Sequence, residues 1–289
     1  MTTTPLYHGL FINLDRSTVR RDAMERQLDR LELSPLYARF PALDGATLNS
    51  PRSEIGKGEN GCFQSHYRAL LSARPRGTFV HMIEDDAVLS PSVRPVIEQA
   101  ISQNVFDQFD VVFTDTFVAP HLGMLKFLKS SFDELPATRP LALNHLKVVD
   151  LANQNFSCLT SYVVGPKAID RVLGLYQQEI ALGPRAPVDL FLRAAVNAGQ
   201  LRAACLFPFI TSFALDEVEK STLDDRSEKT ERPAVMVLAA LRHSFFVDRD
   251  LETVKHALDA AGASSKSDAH RALIGQALDF ILSDEFKEF

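Results

Sequence analysis

Cysteine is scarce in this chain: Cys62, Cys158 and Cys205 are the whole complement among 289 residues. They are far apart and odd in number, and no CxxC pair occurs, which argues against a disulfide framework. Reduced thiols suit a cytosolic protein, and the three read as core fillers rather than nucleophiles. Long apolar runs are missing as well. The longest, Ala234 to Leu241, falls far short of the ~20 residues that a membrane-spanning helix needs. Residues Met1 to Pro5 lack the charged and apolar regions of an export signal. A cytoplasmic location is therefore expected, with peripheral contact at an inner membrane left open. Positive charge is not in excess: 31 basic and 37 acidic residues give a net charge of −6. That balance argues against a general nucleic-acid binder, and an anionic substrate would need a local cation or a few local arginines. Internal repeats and low-complexity tracts are lacking too, and nothing in the sequence fixes an oligomeric state.

What remains is an ordinary globular composition, 46% hydrophobic and 24% charged, long enough to bury a sizeable core as one large domain with a small appendage. The chain is organised around Thr78-Phe79-Val80-His81-Met82-Ile83-Glu84-Asp85-Asp86. Pro75 and Gly77 mark a turn before this stretch, and Ser90-Pro91 reads as a helix start after it. A short apolar run between turn signals reads as a buried strand, which places the three acids at its C-terminal mouth, where open α/β sheets bind ligands. In extended chain Glu84 and Asp86 share one face and Asp85 takes the other. Three adjacent carboxylates near a core are costly unless a cation or hydrogen-bond donors offset them. They read either as a hard-metal site, Mg²⁺ or Mn²⁺ facing a diphosphate, or as a solvated acidic loop.

Around that stretch the chain alternates. Tyr7 to Leu14 reads as a first strand, and Ser17 as the cap of a helix over Thr18 to Leu31. Asn13, Asp15 and Arg16 stand at the strand-to-helix turn, where a nucleotide would lie if this is a nucleotide-binding α/β domain. Leu36 to Leu43 reads as a second strand ending in the turn Asp44-Gly45. Glu59-Asn60-Gly61-Cys62-Phe63-Gln64-Ser65-His66 leads into a helix reaching Ala73, with Cys62, Ser65, His66, Ala69 and Leu70 on one face. Its N-terminal end would attract anions. His66 reads as ligand-facing or as a hydrogen-bonded core histidine. A helix over Val93 to Ser102 and a strand from Asp110 to Thr114 follow, with Asp115 read as an acid supporting the site from behind or, in preference, as a turn former. Residues 119 to 140 read as a long irregular excursion of the sort that covers a site. Strands at Leu146 to Leu151 and Leu159 to Val164, a helix over Lys167 to Gln178 and a strand from Ala204 to Ile210 complete the alternation. Asp189, an acid in an apolar helix start, serves as an N-cap or, at the sheet's open edge, as a general base. Residues 216–233 are a charge-dense loop or linker, and 234–289 read as a small C-terminal helical appendage.

The ordered set Phe11-Ile12-Asn13-Leu14-Asp15-Arg16 with Arg20-Arg21, Asp44-Gly45, Gly58-Glu59-Asn60-Gly61-Cys62 with Ser65-His66, and Ile83-Glu84-Asp85-Asp86 resembles glycosyltransferase family 25. Ser161-Tyr162-Val163-Val164 with Ala168, and Pro187-Val188-Asp189, continue it in the same order. That family includes bacterial lipopolysaccharide galactosyltransferases and collagen galactosyltransferases. The resemblance implies a GT-A-like, Rossmann-like nucleotide-sugar-binding sandwich over residues 1–215. It implies a UDP-sugar donor, a galactose or glucose moved with inversion, a metal, and a glycan or lipid-linked acceptor in surface-polysaccharide synthesis. Carried over, Glu84 and Asp86 would face metal and diphosphate, and Asp85 the ribose or its own loop. Asn13, Asp15 and Arg16 would lie beside the uridine, Glu59, Ser65 and His66 would line the donor cleft, and Asp189 becomes the leading base. The competing readings are a metal-dependent nucleotide-sugar phosphohydrolase and a catalytically silent sugar-nucleotide-binding module.

Overall fold

The computed structural model describes residues 5–49, 52–118, 140–207 and 209–214. The charged stretch at 216–233, the helices expected over 234–289 and all but the last residue of the 119–140 excursion lie outside the described residues.

The elements follow in order as β1 (Tyr7–Asn13), α1 (Thr18–Arg30), β2 (Tyr37–Pro41), α2 (Lys57–Ala73), β3 (Phe79–Glu84), β4 (Ala87–Leu89), α3 (Val93–Ser102) and α4 (Val105–Gln108). Next come β5 (Val111–Val118), β6 (Lys147–Asp150), β7 (Phe156–Val164), α5 (Ile169–Leu182), α6 (Val188–Asn197), β8 (Ala203–Phe207) and β9 (Thr211–Phe213). Seven strands form one mixed sheet in the order β2-β1-β3-β7-β5-β8-β6, and β4 pairs with β9 in a separate ribbon. The chain opens as a Rossmann-like unit, with β1 parallel to both β2 and β3. β7 then runs antiparallel between β3 and β5. The fold is α/β, as the alternation implies.

The central strands are apolar on both faces because helices cover them: Val80, Met82 and Ile83 of β3 and Val163 and Val164 of β7 are all buried. On one side Phe63 of α2, Tyr176 of α5 and Phe191 of α6 form an aromatic triad, their centroids 5.1–5.3 Å apart. Such ring pairs contribute about 0.5–1.5 kcal/mol each beyond area burial, so the triad fixes α2 against the two later helices.

A polar seam crosses the sheet. Tyr37 Oη lies 2.5 Å from His81 Nδ1, His81 Nε2 2.8 Å from Ser161 Oγ, Ser161 Oγ 2.6 Å from Thr114 Oγ1, and Thr114 Oγ1 3.0 Å from Thr211 Oγ1. Each of these five side chains finds its partner on another strand, as burial requires. Gly9 makes the first link possible. It stands in register with both Tyr37 and His81, and a Cβ there would lie 2.1 Å from the Tyr37 ring. Without a side chain at Gly9, the ring crosses β1 to reach the histidine.

Several expectations need correction. Asp115 forms no turn: β5 runs on to Val118, and Asp115 is buried in register with Ser161. Thr114, Thr116, Phe117 and Val118 are strand formers that outweigh one aspartate, and register shifts on either side accommodate it. Ser17 stands at the N-cap of α1 but makes no side-chain cap bond; its carbonyl instead accepts from Asn13 Nδ2 at 3.0 Å. The strand expected over Ala204 to Ile210 is β8, which ends at Phe207, and the short strands β4 and β9 lie outside every expected strand. Strands of three residues are too short to show a periodicity.

Candidate active site

Strands β1 and β3 are adjacent and parallel, and Ile12 stands opposite Glu84. Their C-terminal ends therefore finish together, which sets Asn13 beside the acid triplet. Asn13 is buried. Its Nδ2 donates to Asp85 Oδ2 at 2.7 Å, and its Oδ1 accepts from Arg39 Nε at 2.8 Å. Arg20, on the first turn of α1, pairs with Asp85 Oδ1 at 3.2 Å. Asp85 is thus clamped from the α1 side by an amide and a guanidinium.

Glu84 faces the other way, toward α2. Its Oε1 lies 3.2 Å from His66 Nε2 and accepts from the Cys62 thiol at 3.6 Å. His66 is fully buried, its Nδ1 3.0 Å from Tyr162 Oη and its ring stacked on that tyrosine at 5.8 Å. Ser65 is buried behind it, accepting from the Leu43 amide at 2.8 Å and donating to Gly61 O at 2.6 Å. The first turns of α2 press directly on the Asp44–Gly45 turn. A Cβ at Gly61 would lie 2.7 Å from Gly45 N and 2.8 Å from Leu43 O, both backbone atoms.

Between these elements lies a cleft of about 130 Å³, lined by Arg16, Ser17, Arg20, Leu43, Asp44, Gly58, Cys62, Ser65, His66 and all three acids. The acids differ in charge state. Burial works against ionising Glu84, but His66, then Cys62 and Arg20, more than compensate and hold its pKa below the ordinary value. Burial raises Asp85, with Asn13 and Arg20 pulling against it. Asp86 is pushed up to about 8, by burial first and then by the charge of Glu84. Its Oδ1 is buried and has no hydrogen-bond partner. Three carboxylates crowd one strand end, two have donors, and one oxygen has none. A divalent cation is the group that such an oxygen-rich, under-compensated site would take, so the residues present fit one.

The expected site residues separate into two groups. Arg16, Ser65, His66, Glu84, Asp85 and Asp86 share the cleft, and Asn13 braces it from behind. Arg16 pairs with Asp44 at its rim. Asp15, Glu59 and Asp189 are not among the lining residues. Asp15 is 81% exposed and pairs with Arg39; Glu59 Oε2 accepts from the Gly56 amide at 2.7 Å, capping its own helix. Asp189 lies in the first turn of α6, after Pro187 at the N-cap. Its Oδ2 accepts from the Cys158 amide at 2.9 Å and its Oδ1 from the Leu190 amide at 2.8 Å. Burial first, then the charge of Glu84 and after it that of Asp189, raises the Cys62 thiol. Cys62 packs against the core as expected but is more than a filler: half-buried, it touches Glu84 and lines the cleft. Its i, i+4 relation to His66 was a readable signal. The same is true of Arg20, four residues after Arg16. Tyr162 as the partner of His66 had no local signal.

Sequence comparison places the chain among the glycosyltransferases. The model for glycosyltransferase family 25 (LPS biosynthesis protein) matches residues 7–192, and the chain belongs to that family. A glycosyltransferase 25 family member of Drosophila pseudoobscura pseudoobscura is 31% identical over 121 residues. That alignment takes in 35% of this chain and 19% of the fly protein, about a fifth of its length. The mannosyltransferase PcManGT from Pyrobaculum calidifontis, solved in complex with GDP-Man and Mn2+, is 12% identical with a TM-score of 0.37. The match covers 99% of this chain and 83% of that one. This last likeness is too slight to carry an argument about ligands. No helix among the described residues is long and apolar enough to cross a membrane.

Proposed function

We propose that this protein transfers a hexose, galactose or glucose, from a UDP-sugar to a hydroxyl of a glycan or lipid-linked acceptor. The proposed setting is the cytoplasmic face of bacterial surface-polysaccharide or lipopolysaccharide synthesis. Family membership supports sugar transfer. The observation that carries the rest is the acid triplet: an oxygen of Asp86, buried and without a partner, at a cleft that also presents Arg16 and Arg20.

Each group has work to do in such a transfer. Glu84 and Asp86 would hold Mn²⁺ or Mg²⁺, which supplies Lewis-acid neutralisation of a departing diphosphate. Arg16 and Arg20 bring fixed positive charge to the same end of the cleft, where an anionic donor needs it in a chain of net negative charge. Asp85, held by Asn13 and Arg20, is a preformed acceptor for a ribose hydroxyl or an anchor for its own turn. His66, wedged between Tyr162 and Glu84, keeps that carboxylate ionised and aimed. Inversion requires the acceptor oxygen to attack opposite the leaving diphosphate and to lose its proton as it does so. Asp189 is the carboxylate proposed to take that proton, a role that contributes about 10²–10⁴-fold. Two backbone amides fix its orientation.

The test is Asp86→Asn assayed beside the native protein with UDP-sugars, a glycan acceptor and Mn²⁺. Native protein is expected to show acceptor-dependent UDP release and a Mn²⁺-dependent rise in melting temperature with UDP. The variant should lose both while staying folded. Phosphate release without an acceptor would instead make the protein a phosphohydrolase, and UDP binding without turnover would make it a binding module. Native activity in Asp86→Asn would refute the metal role.

A further inference from the structure

The face of α2 that meets the acid triplet carries a set of ligands unlike the triplet itself. Cys62 and His66 are four residues apart on one helix, so their side chains project side by side, and Glu84 comes to them from the end of β3. His66 Nε2 and Cys62 Sγ lie 3.2 and 3.6 Å from the same oxygen, Glu84 Oε1. All three ligand atoms lie within 4.8 Å of one another.

We propose that Cys62, His66 and Glu84 form a seat for one thiophilic divalent ion of the Zn²⁺ class, chemically distinct from the carboxylate seat at Asp86. A tetrahedral ion with sulfur at ~2.3 Å and nitrogen and oxygen at ~2.1 Å holds its ligands about 3.4–3.6 Å apart. Two edges of the set already stand within a few tenths of an ångström of that spacing. The sulfur–nitrogen edge lies within 4.8 Å. His66 is oriented as ligating histidines are: Tyr162 engages Nδ1 at 3.0 Å and stacks on the ring, which leaves Nε2 to face the ion. All three residues line the cleft, so a fourth ligand could reach the ion from it. A sulfur, nitrogen and oxygen set selects zinc-like ions over Mg²⁺ and Mn²⁺, which prefer oxygen alone. Binding balances simply. The Cys62 thiol, a donor to Glu84 in the ion-free protein, loses its proton to solvent; thiolate, neutral imidazole and carboxylate bind; nothing is oxidised. This seat goes beyond the sugar-transfer reading. Because Glu84 is shared between the two seats, Zn²⁺ at one is expected to weaken the hard cation at the other.

The test uses the full chain with metal alone, so it is blind to whether sugar transfer occurs. Co²⁺ is expected to bind at one equivalent with a near-ultraviolet thiolate-to-cobalt band, and one equivalent of Zn²⁺ to displace it. Cys62→Ser should lose the band and weaken Zn²⁺ at least about tenfold, the floor set by losing even an outer-shell partner; Cys158→Ser should keep it. In the native protein, which depends on no variant folding, Zn²⁺ should slow alkylation of Cys62 but not of Cys158. A missing cobalt band, a band that survives Cys62→Ser, or equal alkylation of Cys62 with and without Zn²⁺ would overturn the assignment.

Discussion

Replacing Asn13 with alanine tests how the acid edge is held. The sequence suggests Asn13 beside a nucleotide, whereas the structure buries it behind the cleft with three side-chain hydrogen bonds. It donates to Ser17 O at 3.0 Å and to Asp85 Oδ2 at 2.7 Å, and accepts from Arg39 Nε at 2.8 Å. A neutral bond contributes a net ~1 kcal/mol and one to a charged group ~2, so the sum is about 5 kcal/mol. Arg39 still bonds the Asn13 carbonyl and Asp15 and recovers part of its loss, which sets the expected cost at about 3–5 kcal/mol. For a domain of this size that is a fall in melting temperature of at least roughly 6 °C. Urea unfolding at neutral pH, followed by circular dichroism, measures it. The same variant should weaken donor binding through a loosened Asp85 rather than through a lost contact, so added Mn²⁺ and UDP should restore part of the stability. A loss below about 1 kcal/mol would refute the bracing role.

Other substitutions test separate parts of the structure. Gly9→Ala puts a methyl 2.1 Å from the Tyr37 ring; the ring must swing away from His81, and stability by urea titration should fall by at least about 3 kcal/mol. His81 is pushed down to about 3 by burial, so it stays neutral in the fold while the unfolded chain protonates it below ~6.5. Its share of stability is therefore whole above that value and falls with acidification toward pH 3, by up to about 1.4 kcal/mol per pH unit. His8, lowered to about 4 by burial and Arg76, adds a contribution of the same sign. His81→Asn should flatten the slope of urea midpoints between pH 7 and 4; an unchanged slope would count against it. Asp189→Asn keeps a carbonyl for the Cys158 amide but sets its NH2 against the Leu190 amide, so it should lose about 1–3 kcal/mol of stability while losing transfer activity. Full turnover in that variant would move the base elsewhere. Asp189→Ala should be less stable than Asp189→Asn, because the amide it orphans belongs to a residue held at φ 77°.

How much of this was legible depends on how far each signal reaches along the chain. The acids at the mouth of β3 could be read because an apolar run, its bounding turns and the triplet all fall within one short segment. Ser65 and His66 on one face of α2 could be read because helical spacing is local. Asp115 was misread because an aspartate after four strand formers looks like an ending, and only the residues beyond it, packed on β7, keep the strand going. Asp15 and Glu59 are neighbours in sequence of cleft-lining residues but do not line the cleft, and each is satisfied locally, by Arg39 and by the Gly56 amide.

What sequence could not supply is the pairing that gives the acids different chemistry. Asn13 meets Asp85 across 72 residues and His66 meets Tyr162 across 96. Three adjacent acids have no intrinsic order of acidity. The order comes from the sheet, which ends β1 beside β3, and from α2, which lays Cys62 and His66 over only one of the three. Glu84 then has two hydrogen-bonding neighbours, Asp85 has an amide and a guanidinium, and Asp86 keeps a buried oxygen with none. Transplanting Glu84-Asp85-Asp86 to another strand end would not reproduce that division of roles. Shortening β1 by one residue would undo it, because Asn13 would no longer reach Asp85.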